Sequence, residues 1–402
     1  MIDIILTAKQ MGIFVLVADR DPTSPAKRFA DKAFNTSTDD IAALESLCRA
    51  EGVDGVFTGF EDFNIHIARE LCDRLKLPFY ATREQLAAVT NKLRFKDECR
   101  RFGVPVIEQY TLSEALGEGK YPYIVKPADS YGSRGITVCR SAEELARGHE
   151  AAVAASASRT AIIERFIDYD HGTELFYTVV NGRIHLTATA DRYIAKSGVT
   201  TVPLPVAEVF PSRHEVDMIR TLDPKIREML TGLGLRNGLV LIQALFDGED
   251  YFVYEMAYRL TGEQHYRLVE KQHGVSLGRM MIALALGEDI SEYDTALLDA
   301  DAFRYPSVNL AILLHPGVIR TVEGLDKVFR IDEVISYNLT HADGDEIRPS
   351  GNYSHMLIRI NMVADTYDAL CRAVDDVNRE VRVTSETGED MLVTRFTLPR
   401  EV

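Results

Sequence analysis

Lys126 and the polar loop that follows it are the residues best suited to holding an anion. Lys126 ends an apolar run, and the loop 129–135 contributes two serines and two glycines: Ser130, Gly132, Ser133 and Gly135. Glycines let backbone N–H groups approach a phosphate, serine hydroxyls donate hydrogen bonds, and the lysine adds charge. The loop matches neither GxxxxGK[ST] nor GxGxxG, and it joins two predicted strands. An ordinary hairpin turn beside an exposed lysine explains the same residues.

A second lysine, Lys92, lies in the segment 82–102, which the sequence predicts as one long helix. Thr82 is its N-cap candidate, and Gly103 and Pro105 end it. A lysine on a helix is usually a solvated surface group. Lys92 therefore points to a ligand only in combination with Lys126.

Two oxygen-bearing side chains flank a predicted hairpin turn at Asp247-Gly248. Gln243 precedes the turn and Glu255 follows it, so they fall opposite each other, roughly 5 Å apart. Mg²⁺ is usually held by one or two protein oxygens together with nucleotide phosphates, and this pair suits it. Strict alternation places Val253 and Arg259 on the face of Glu255. An ion pair between Glu255 and Arg259 is the simpler explanation of their spacing.

The segment 162–167 is predicted as an apolar strand, and it ends with four residues of mixed character: Glu164, Arg165, Phe166 and Ile167. Their backbone N–H and C=O groups could meet the edge of an adenine. A plain core strand with surface charges is the alternative. A further acid, Glu174, follows in a hairpin whose turn is Asn181-Gly182.

The elements that must position these residues alternate between helix and strand. Over the first eighty residues the patterns predict helices at 2–11, 41–52 and 64–78, and strands at 13–19 and 53–59, which indicates a parallel sheet with βαβ connections. Such a domain normally opens with a strand. Either this one begins with a helix, or its first strand is missing.

The remaining patterns predict strands and hairpins with fewer helices. Strands flank the loop after Lys126, a helix follows at 141–156, and a long loop leads to a helix at 223–238. The segment 271–288 is predicted as helical. From about residue 305 the chain is predicted as short strands and one helix near 366–381.

Composition limits the class of protein. The 402 residues are 46% hydrophobic and 26% charged, with a formal net charge of −16, which excludes a disordered acidic tail protein and argues against a nucleic-acid binder. Five scattered cysteines argue against a disulfide framework or a zinc cluster. No apolar run is long enough to span a bilayer, and the N-terminus lacks a signal-peptide pattern. We therefore expect a cytoplasmic protein.

The ordered set of motifs resembles the ATP-grasp superfamily. It comprises NK at 91–92, IVKPADSYGSRG at 124–135, IIERFI at 162–167, GTEL at 172–175, Gln243, and YEMAYRLTG at 254–262. The chain is similar to the carbamoyl-phosphate-synthetase-like and biotin-carboxylase-like carboxylate–amine ligases over about residues 1–400. The resemblance implies an α/β and α+β multidomain fold. It also implies three parts: a pre-ATP-grasp domain (1–81, incomplete if the first strand is missing), an ATP-grasp domain (82–295, with a lid subdomain at about 118–185), and a C-terminal mainly β extension (296–402).

The resemblance also implies roles for the residues. Lys92 and Lys126 would contact the ATP phosphates, loop 129–135 would cover the triphosphate, and 164–167 would bind adenine through its backbone. Glu174 would bind the ribose, Gln243 and Glu255 would hold Mg²⁺ (or Mn²⁺), and Arg259 would be the catalytic arginine. Four further residues are candidates for substrate contacts: Arg192, Lys196, His265 and Arg267.

Two features depart from the family pattern. The third metal ligand is usually an Asn, and here that position is Ala257. Water could replace it, because Mg²⁺ keeps several waters. The usual opening strand and glycine-rich turn are also absent, which weakens any inference about the substrate.

The implied reaction has two steps. A carboxylate attacks the γ-phosphate of ATP to give an acyl phosphate, and an amine then displaces the phosphate. The implied partners are ATP, a small carboxylate and an amine, with a homodimer as the assembly and with neither nucleic acid nor membrane. The alternatives are a biotin- or bicarbonate-dependent carboxylase and an ATP-binding protein with impaired catalysis.

Overall fold

The structure, a computed structural model, describes residues 1–129, 135–169, 171–195, 204–299, 303–349 and 353–400. Its helices are α1 (Ile2–Gln10), α2 (Ile41–Glu51), α3 (Asp62–Leu75), α4 (Arg83–Thr90), α5 (Lys92–Arg101), α6 (Leu112–Glu118), α7 (Ala142–Ala155), α8 (Glu215–Thr221), α9 (Asp223–Gly232), α10 (Tyr266–His273), α11 (Leu277–Leu286), α12 (Leu325–Val328) and α13 (Tyr367–Glu380). Its strands are β1 (Leu16–Ala18), β2 (Lys32–Phe34), β3 (Gln109–Tyr110), β4 (Tyr123–Pro127), β5 (Thr137–Cys139), β6 (Ala161–Arg165), β7 (His171–Val180), β8 (Arg183–Ala195), β9 (Leu204–Phe210), β10 (Gly238–Phe246), β11 (Tyr251–Ala257), β12 (Ser307–Leu313), β13 (Gly317–Glu323), β14 (Val334–Leu339), β15 (Glu346–Ile347), β16 (Met356–Val363) and β17 (Arg382–Ser385). The predicted mixed α/β architecture is confirmed.

The N-terminal part is built on two parallel strands, β1 and β2. The predicted opening helix is confirmed as α1. The prediction of a strand at 53–59 is wrong, because this segment pairs with no strand that the structure describes. The apolar residues of this segment are explained by packing and not by strand pairing. Val53 and Val56 contact α2 and α3, and Phe57 lies against the cluster that contains α11.

The long helix predicted at 82–102 is two helices, α4 and α5. Asn91 separates them with an extended backbone, ψ 112°, and its side chain accepts hydrogen bonds from the amides of Leu93 and Arg94. The predicted cap of α4 is confirmed, since Thr82 and Gln85 form a capping box. The break places Lys92 at the first position of α5.

A small four-stranded sheet, in the order β3-β6-β4-β5, carries the lysine strand β4. α6 and α7 pack with it around a core of their own. This sheet spans 109–165 and overlaps the region predicted as a lid, but its first strand, β3, precedes that region.

An eight-stranded antiparallel sheet, in the order β11-β10-β7-β8-β9-β12-β16-β14, forms the main body. One face packs on α4, α5, α8 and α9. The other packs on α1, α10 and α11. The sheet joins strands on both sides of residue 296, so the division of the chain into domains stays a prediction.

Two further predictions are wrong in this region. The presumed long loop before residue 223 contains β9 and α8, because the alternating run Leu204–Phe210 pairs with both β8 and β12. The helical segment 271–288 is broken at Gly274, whose φ of 71° ends α10. Both predicted hairpins, β7–β8 and β10–β11, are confirmed.

Helices of bilayer-spanning length and apolarity do not occur in the part of the chain that the structure describes.

Candidate functional site

Lys126 is held by a buried carboxylate. Its Nζ lies 2.7 Å from Oε2 of Glu164, and the other oxygen of Glu164 pairs with Lys96 on α5. Glu164 and Lys96 are fully buried. Burial alone would raise the pKa of Glu164, but the charges of Lys126 and Lys96 outweigh it and keep that pKa below its usual value. The alternative of a surface charge at Glu164 is therefore wrong.

Lys92 enters the same region from the start of α5. Its amide donates to the carbonyl of Ala128, 3.3 Å away, which fixes the helix beside the end of β4. Burial lowers the pKa of Lys92, and its charge interacts with those of Glu255 and Lys126. The structure thus brings Lys92 close to Lys126 and to Glu255 of the hairpin β10–β11.

The adenine-binding role of 164–167 stays a prediction, and the structure limits which of its backbone groups could take part. The amides of Arg165 and Phe166 donate to the carbonyls of Glu108 and Pro122, so these two N–H groups are not available to a base. The Arg165 side chain pairs with Asp247, at 2.9 Å, and lies over the ring of Phe252.

Ile167 lies in a small apolar cluster beside this strand. Ile107 and Leu245 complete its buried part, and three aromatic residues border it: Tyr169, Phe252 and Tyr254. We call it the apolar cluster. A flat aromatic ligand suits such a lining.

The predicted pairing of Gln243 with Glu255 is confirmed, as the two are direct partners in the register of β10 and β11. On its other side Gln243 pairs with Glu174 of β7, and its Nε2 donates to Oε1 of Glu174 over 2.7 Å. This bond uses the amide nitrogen and not the amide oxygen, which is the atom predicted to bind the metal. Glu174, the predicted ribose acid, therefore lies beside the candidate metal ligands.

A β-bulge changes the face of one predicted residue. The register shifts between Gln243 and Ala244, so Tyr254 is the extra residue of β11. Val253 then faces the core with Ala244 and does not share the face of Glu255, contrary to strict alternation.

A line of polar side chains continues from the metal ligands across the sheet. In the register of the strands, Arg192 of β8 pairs with Glu208 of β9, and Glu208 pairs with Asn309 of β12. Arg192 also lies 3.4 Å from Glu174, and Arg359 donates to Asn309 over 2.5 Å. We call the full set the polar row: Glu255, Gln243, Glu174, Arg192, Glu208, Asn309 and Arg359.

Two carboxyl groups of the polar row each have one oxygen that accepts no hydrogen bond from the described residues. Glu174 and Glu208 are 1% and 2% exposed, and Oε2 of each accepts no hydrogen bond from the residues described. Burial raises the pKa of Glu174 to about 7. Burial, together with the charges of Glu174 and Glu263, raises the pKa of Glu208 well above its usual value. A buried carboxyl of this kind favours a bound cation.

Arg259 is anchored by the N-terminal part of the chain. Its Nε lies 2.6 Å from Oδ1 of Asp62, and its Nη2 lies 3.3 Å from Oδ2. Asp62 is the first residue of α3. The predicted Glu255–Arg259 ion pair does not form among the described contacts, because the guanidinium is used by Asp62.

Two substrate candidates, His265 and Arg267, make contacts outside the polar row. His265 is 6% exposed, packs on Phe176 with ring centroids 4.1 Å apart, and shares a hydrogen bond with Thr261. Burial lowers the pKa of His265 to about 4, so the ring is neutral. Arg267 reaches Asp3 of α1, at 3.6 Å, and helps to attach that helix.

Part of the predicted site lies outside the described residues: Ser130, Gly132, Ser133 and Lys196. Gly135 is described, with a φ of 75°, and a Cβ there would come within 2.8 Å of Pro127. Glycine is therefore required where the loop re-enters the sheet.

Sequence reasoning missed four residues of this site: Lys96, Asp62, Glu208 and Arg359. Lys96 is one helical turn from Lys92, and that spacing was an available signal. Glu208 was hidden in the segment read as a loop. No sequence pattern around Asp62 or Arg359 indicates that either residue belongs to the site.

The donor set fits Mg²⁺. Gln243 and Glu255 offer oxygens from paired positions, and Glu174 adds a buried oxygen without a hydrogen bond from the described residues. Hard oxygen ligands of this number, completed by phosphates and water, are typical of Mg²⁺. Ala257, opposite Leu241, adds none.

Two family models match the chain. The carbamoyl-phosphate synthase L chain ATP-binding domain matches residues 92–293, which include the lysines, Gln243, Glu255 and Arg259. The L-amino acid ligase C-terminal domain 2 matches residues 311–386.

Individual proteins agree with these matches. A formate-dependent phosphoribosylglycinamide formyltransferase from Synechococcus is 27% identical over 42% of this chain and 45% of its own length, so the chain spans about half of that relative. The L-amino acid ligase of Bacillus licheniformis has a similar fold, with a TM-score of 0.77 at 17% identity over 96% of this chain and 95% of that one. The biotin carboxylase domain of Hydrogenobacter thermophilus 2-oxoglutarate carboxylase, solved with MgADP and bicarbonate, has a TM-score of 0.75 at 19% identity, over 97% and 88%. The chain belongs to the family of the carbamoyl-phosphate synthase L chain ATP-binding domain, within the ATP-grasp carboxylate–amine ligases that form C–N bonds.

Proposed function

We propose that the protein is an ATP- and Mg²⁺-dependent ligase that activates the carboxylate of an amino acid as an acyl phosphate and joins it to an amine. The polar row carries this proposal. It runs on one face of the sheet from the candidate metal ligands Gln243 and Glu255 to the buried side chains of Glu208 and Arg359. The match of residues 311–386 to an L-amino acid ligase domain supports the same substrate class.

The nucleotide would be held at three points. The adenine would lie against the apolar cluster beside Ile167. Lys92 and Lys126 would neutralise the phosphates, and Glu164 and Lys96 would keep Lys126 in position. Gln243 and Glu255 would hold Mg²⁺, with Glu174 beside them; when bound, the ion neutralises charge on the phosphates.

The amino-acid substrate would lie along the polar row. Its ammonium group would meet the carboxyl groups of Glu174 and Glu208, which are buried and incompletely hydrogen-bonded. Its carboxylate would be oriented by Arg192, which contacts both Glu174 and Tyr254. A substrate that carries both charges matches the alternating charges of this row.

The chemistry needs no side-chain nucleophile. A carboxylate oxygen forms a bond to the γ-phosphorus while the bond to the β–γ bridging oxygen breaks and ADP leaves. The amine then attacks the carbonyl carbon, phosphate leaves, and the amine loses a proton. Arg259, fixed by Asp62, would stabilise the negative oxygen of the tetrahedral intermediate.

The test is phosphate release from Mg-ATP with each amino acid, alone and in pairs, with the product mass measured. The proposal expects release that depends on an amino acid and a product whose mass equals the two substrates minus water. Glu208→Gln should raise the KM for that amino acid, and Glu143→Gln on the exposed surface of α7 is the matched control. Release that depends on bicarbonate would support the carboxylase alternative instead. ATP binding without turnover on any pair would support the impaired protein that Ala257 suggests.

A further inference from the structure

Two histidines and an aspartate meet on the face of the large sheet that is turned away from the polar row. His171 begins β7, Asp191 lies near the end of β8, and His214 follows β9 just before α8. Asp191 lies between Ala190 and Arg192 in its strand and so points to the face opposite Arg192. The three residues therefore form a cluster separate from the proposed ATP site.

The ligand atoms of this cluster converge. One nitrogen or oxygen from each residue lies within 4.8 Å of the others. The Nε2 atoms of His171 and His214 are 3.2 Å apart. Two nitrogens bound to one tetrahedral Zn²⁺ at about 2.0–2.1 Å are separated by about 3.3 Å. The two rings already have the separation of co-ligands.

A hydrogen-bond chain orients His214. Its Nδ1 lies 3.1 Å from the hydroxyl of Tyr251, and that hydroxyl is hydrogen-bonded to Asp217. The Tyr251 hydroxyl holds the Nδ1 side of the ring, so Nε2 is the nitrogen of His214 that faces His171. Outer partners of this kind accompany most histidine ligands of metals.

The guanidinium of Arg213 lies against the cluster. Nη2 of Arg213 lies 2.7 Å from Nδ1 of His171, and Nε of Arg213 lies 3.5 Å from Oδ2 of Asp191. Asp191 is buried, whereas the Arg213 side chain is 40% exposed. The cluster therefore stabilises a positive charge. The Arg213 side chain that supplies this charge is exposed enough to move into solvent.

We propose that His171, Asp191 and His214 bind a divalent transition-metal ion of the Zn²⁺ type, and that the ion replaces the guanidinium of Arg213. The mixed nitrogen and oxygen ligands suit Zn²⁺ and disfavour Mg²⁺. The bound ion would tie together β7, β8 and the segment that follows β9. The cysteine count could not reveal this site, because no cysteine takes part.

The experiment is a calorimetric titration of the nucleotide-free, chelator-treated protein with ZnCl₂, with Co²⁺ absorption as a second readout. We expect one strong site. His171→Ala and His214→Ala should each weaken it by at least about tenfold. Arg213→Gln should tighten it, because a competing cation is removed. His149→Ala, on α7, should leave it unchanged.

The direction of the Arg213→Gln effect separates a metal site from an ordinary ion-pair network. If Arg213 only pairs with Asp191, its loss should lower the melting temperature and create no affinity for Zn²⁺. Absence of Zn²⁺ binding to both the parent protein and Arg213→Gln overturns the proposal. So does undiminished binding to His171→Ala and to Asp191→Asn, each verified as folded by its thermal transition.

Discussion

Lys126 shares one buried carboxylate with Lys96, so the three side chains carry a net positive charge next to the loop that follows β4. A buried carboxylate between two lysines is satisfied only while both remain. This arrangement leaves excess positive charge for a phosphate.

Lys126→Ala should weaken ATP binding by about 1–3 kcal/mol, the range for loss of a charge-assisted contact. Calorimetry with ATP and Mg²⁺ measures the change. Lys120→Ala is the control, since Lys120 is 73% exposed and pairs only with Glu118 among the described contacts. An unchanged affinity would remove Lys126 from the phosphate site.

Glu208 should make the folded protein less stable as pH rises. Its pKa is raised in the folded state by burial and by neighbouring carboxylates, so above about pH 4.5 the folded chain keeps a proton that the unfolded chain releases. The free energy of unfolding therefore falls as pH rises from about 4.5 towards the raised pKa. Glu208→Gln should flatten this dependence and be the more stable protein at neutral pH. Denaturant unfolding from pH 5 to 8 measures it, and parallel pH profiles for the two proteins would contradict the assignment.

At the scale of elements, the break at Asn91 determines where Lys92 lies. The Asn91 side chain caps two amides of α5, and the helix in turn presents Lys92 at its first position. An N-cap contributes to stability and also fixes the angle at which the helix starts.

Asn91→Ala should cost about 0.5–2 kcal/mol of folding free energy and should also weaken ATP binding. Thr366→Ala is the matched control, because Thr366 caps α13 far from Lys92. It should give a similar loss of stability with unchanged ATP affinity. If both variants bind ATP equally well, the cap does not position the lysine.

The sequence predicts elements well where one local pattern dominates. The turn residues Asp247-Gly248 predict the hairpin β10–β11, and the number of residues on each side of the turn predicts the pairing of Gln243 with Glu255. Turn chemistry does not mark the bulge at Tyr254. The strand β9 is not predicted either, because its partner β12 is distant in the chain. Lys96 and Asp62 stay hidden for the same reason: a buried ion pair is recognised only when its partner is known.

At the scale of the whole molecule, the N-terminal part reaches the catalytic arginine candidate. Asp62 holds Arg259 through two hydrogen bonds, and the amide of Phe60 donates to the carbonyl of Leu260 over 2.8 Å. The first sixty-two residues thus help to shape a site whose other members lie beyond residue 90.

Asp62→Asn should lower kcat on the order of 100-fold, because a misplaced arginine no longer meets the developing charge. ATP affinity should change less than kcat, since both phosphate-binding lysines are retained and only the charge of Asp62 near Lys92 is lost. Steady-state kinetics and calorimetry separate the two effects. Asp73→Asn, at the other end of α3, is the control, and equal turnover by both variants would contradict this role.

The strand order of the large sheet also affects how the chain folds while it is being synthesised. β9 has β8 on one side as soon as it leaves the ribosome, but its other neighbour, β12, begins only at Ser307. At about 5–20 residues per second, β9 is an open strand edge for roughly 5–20 seconds, and open edges recruit other chains. Slow codons between positions 211 and 306 should therefore lower the soluble yield, whereas the same codons after position 363, when the sheet is complete, should not.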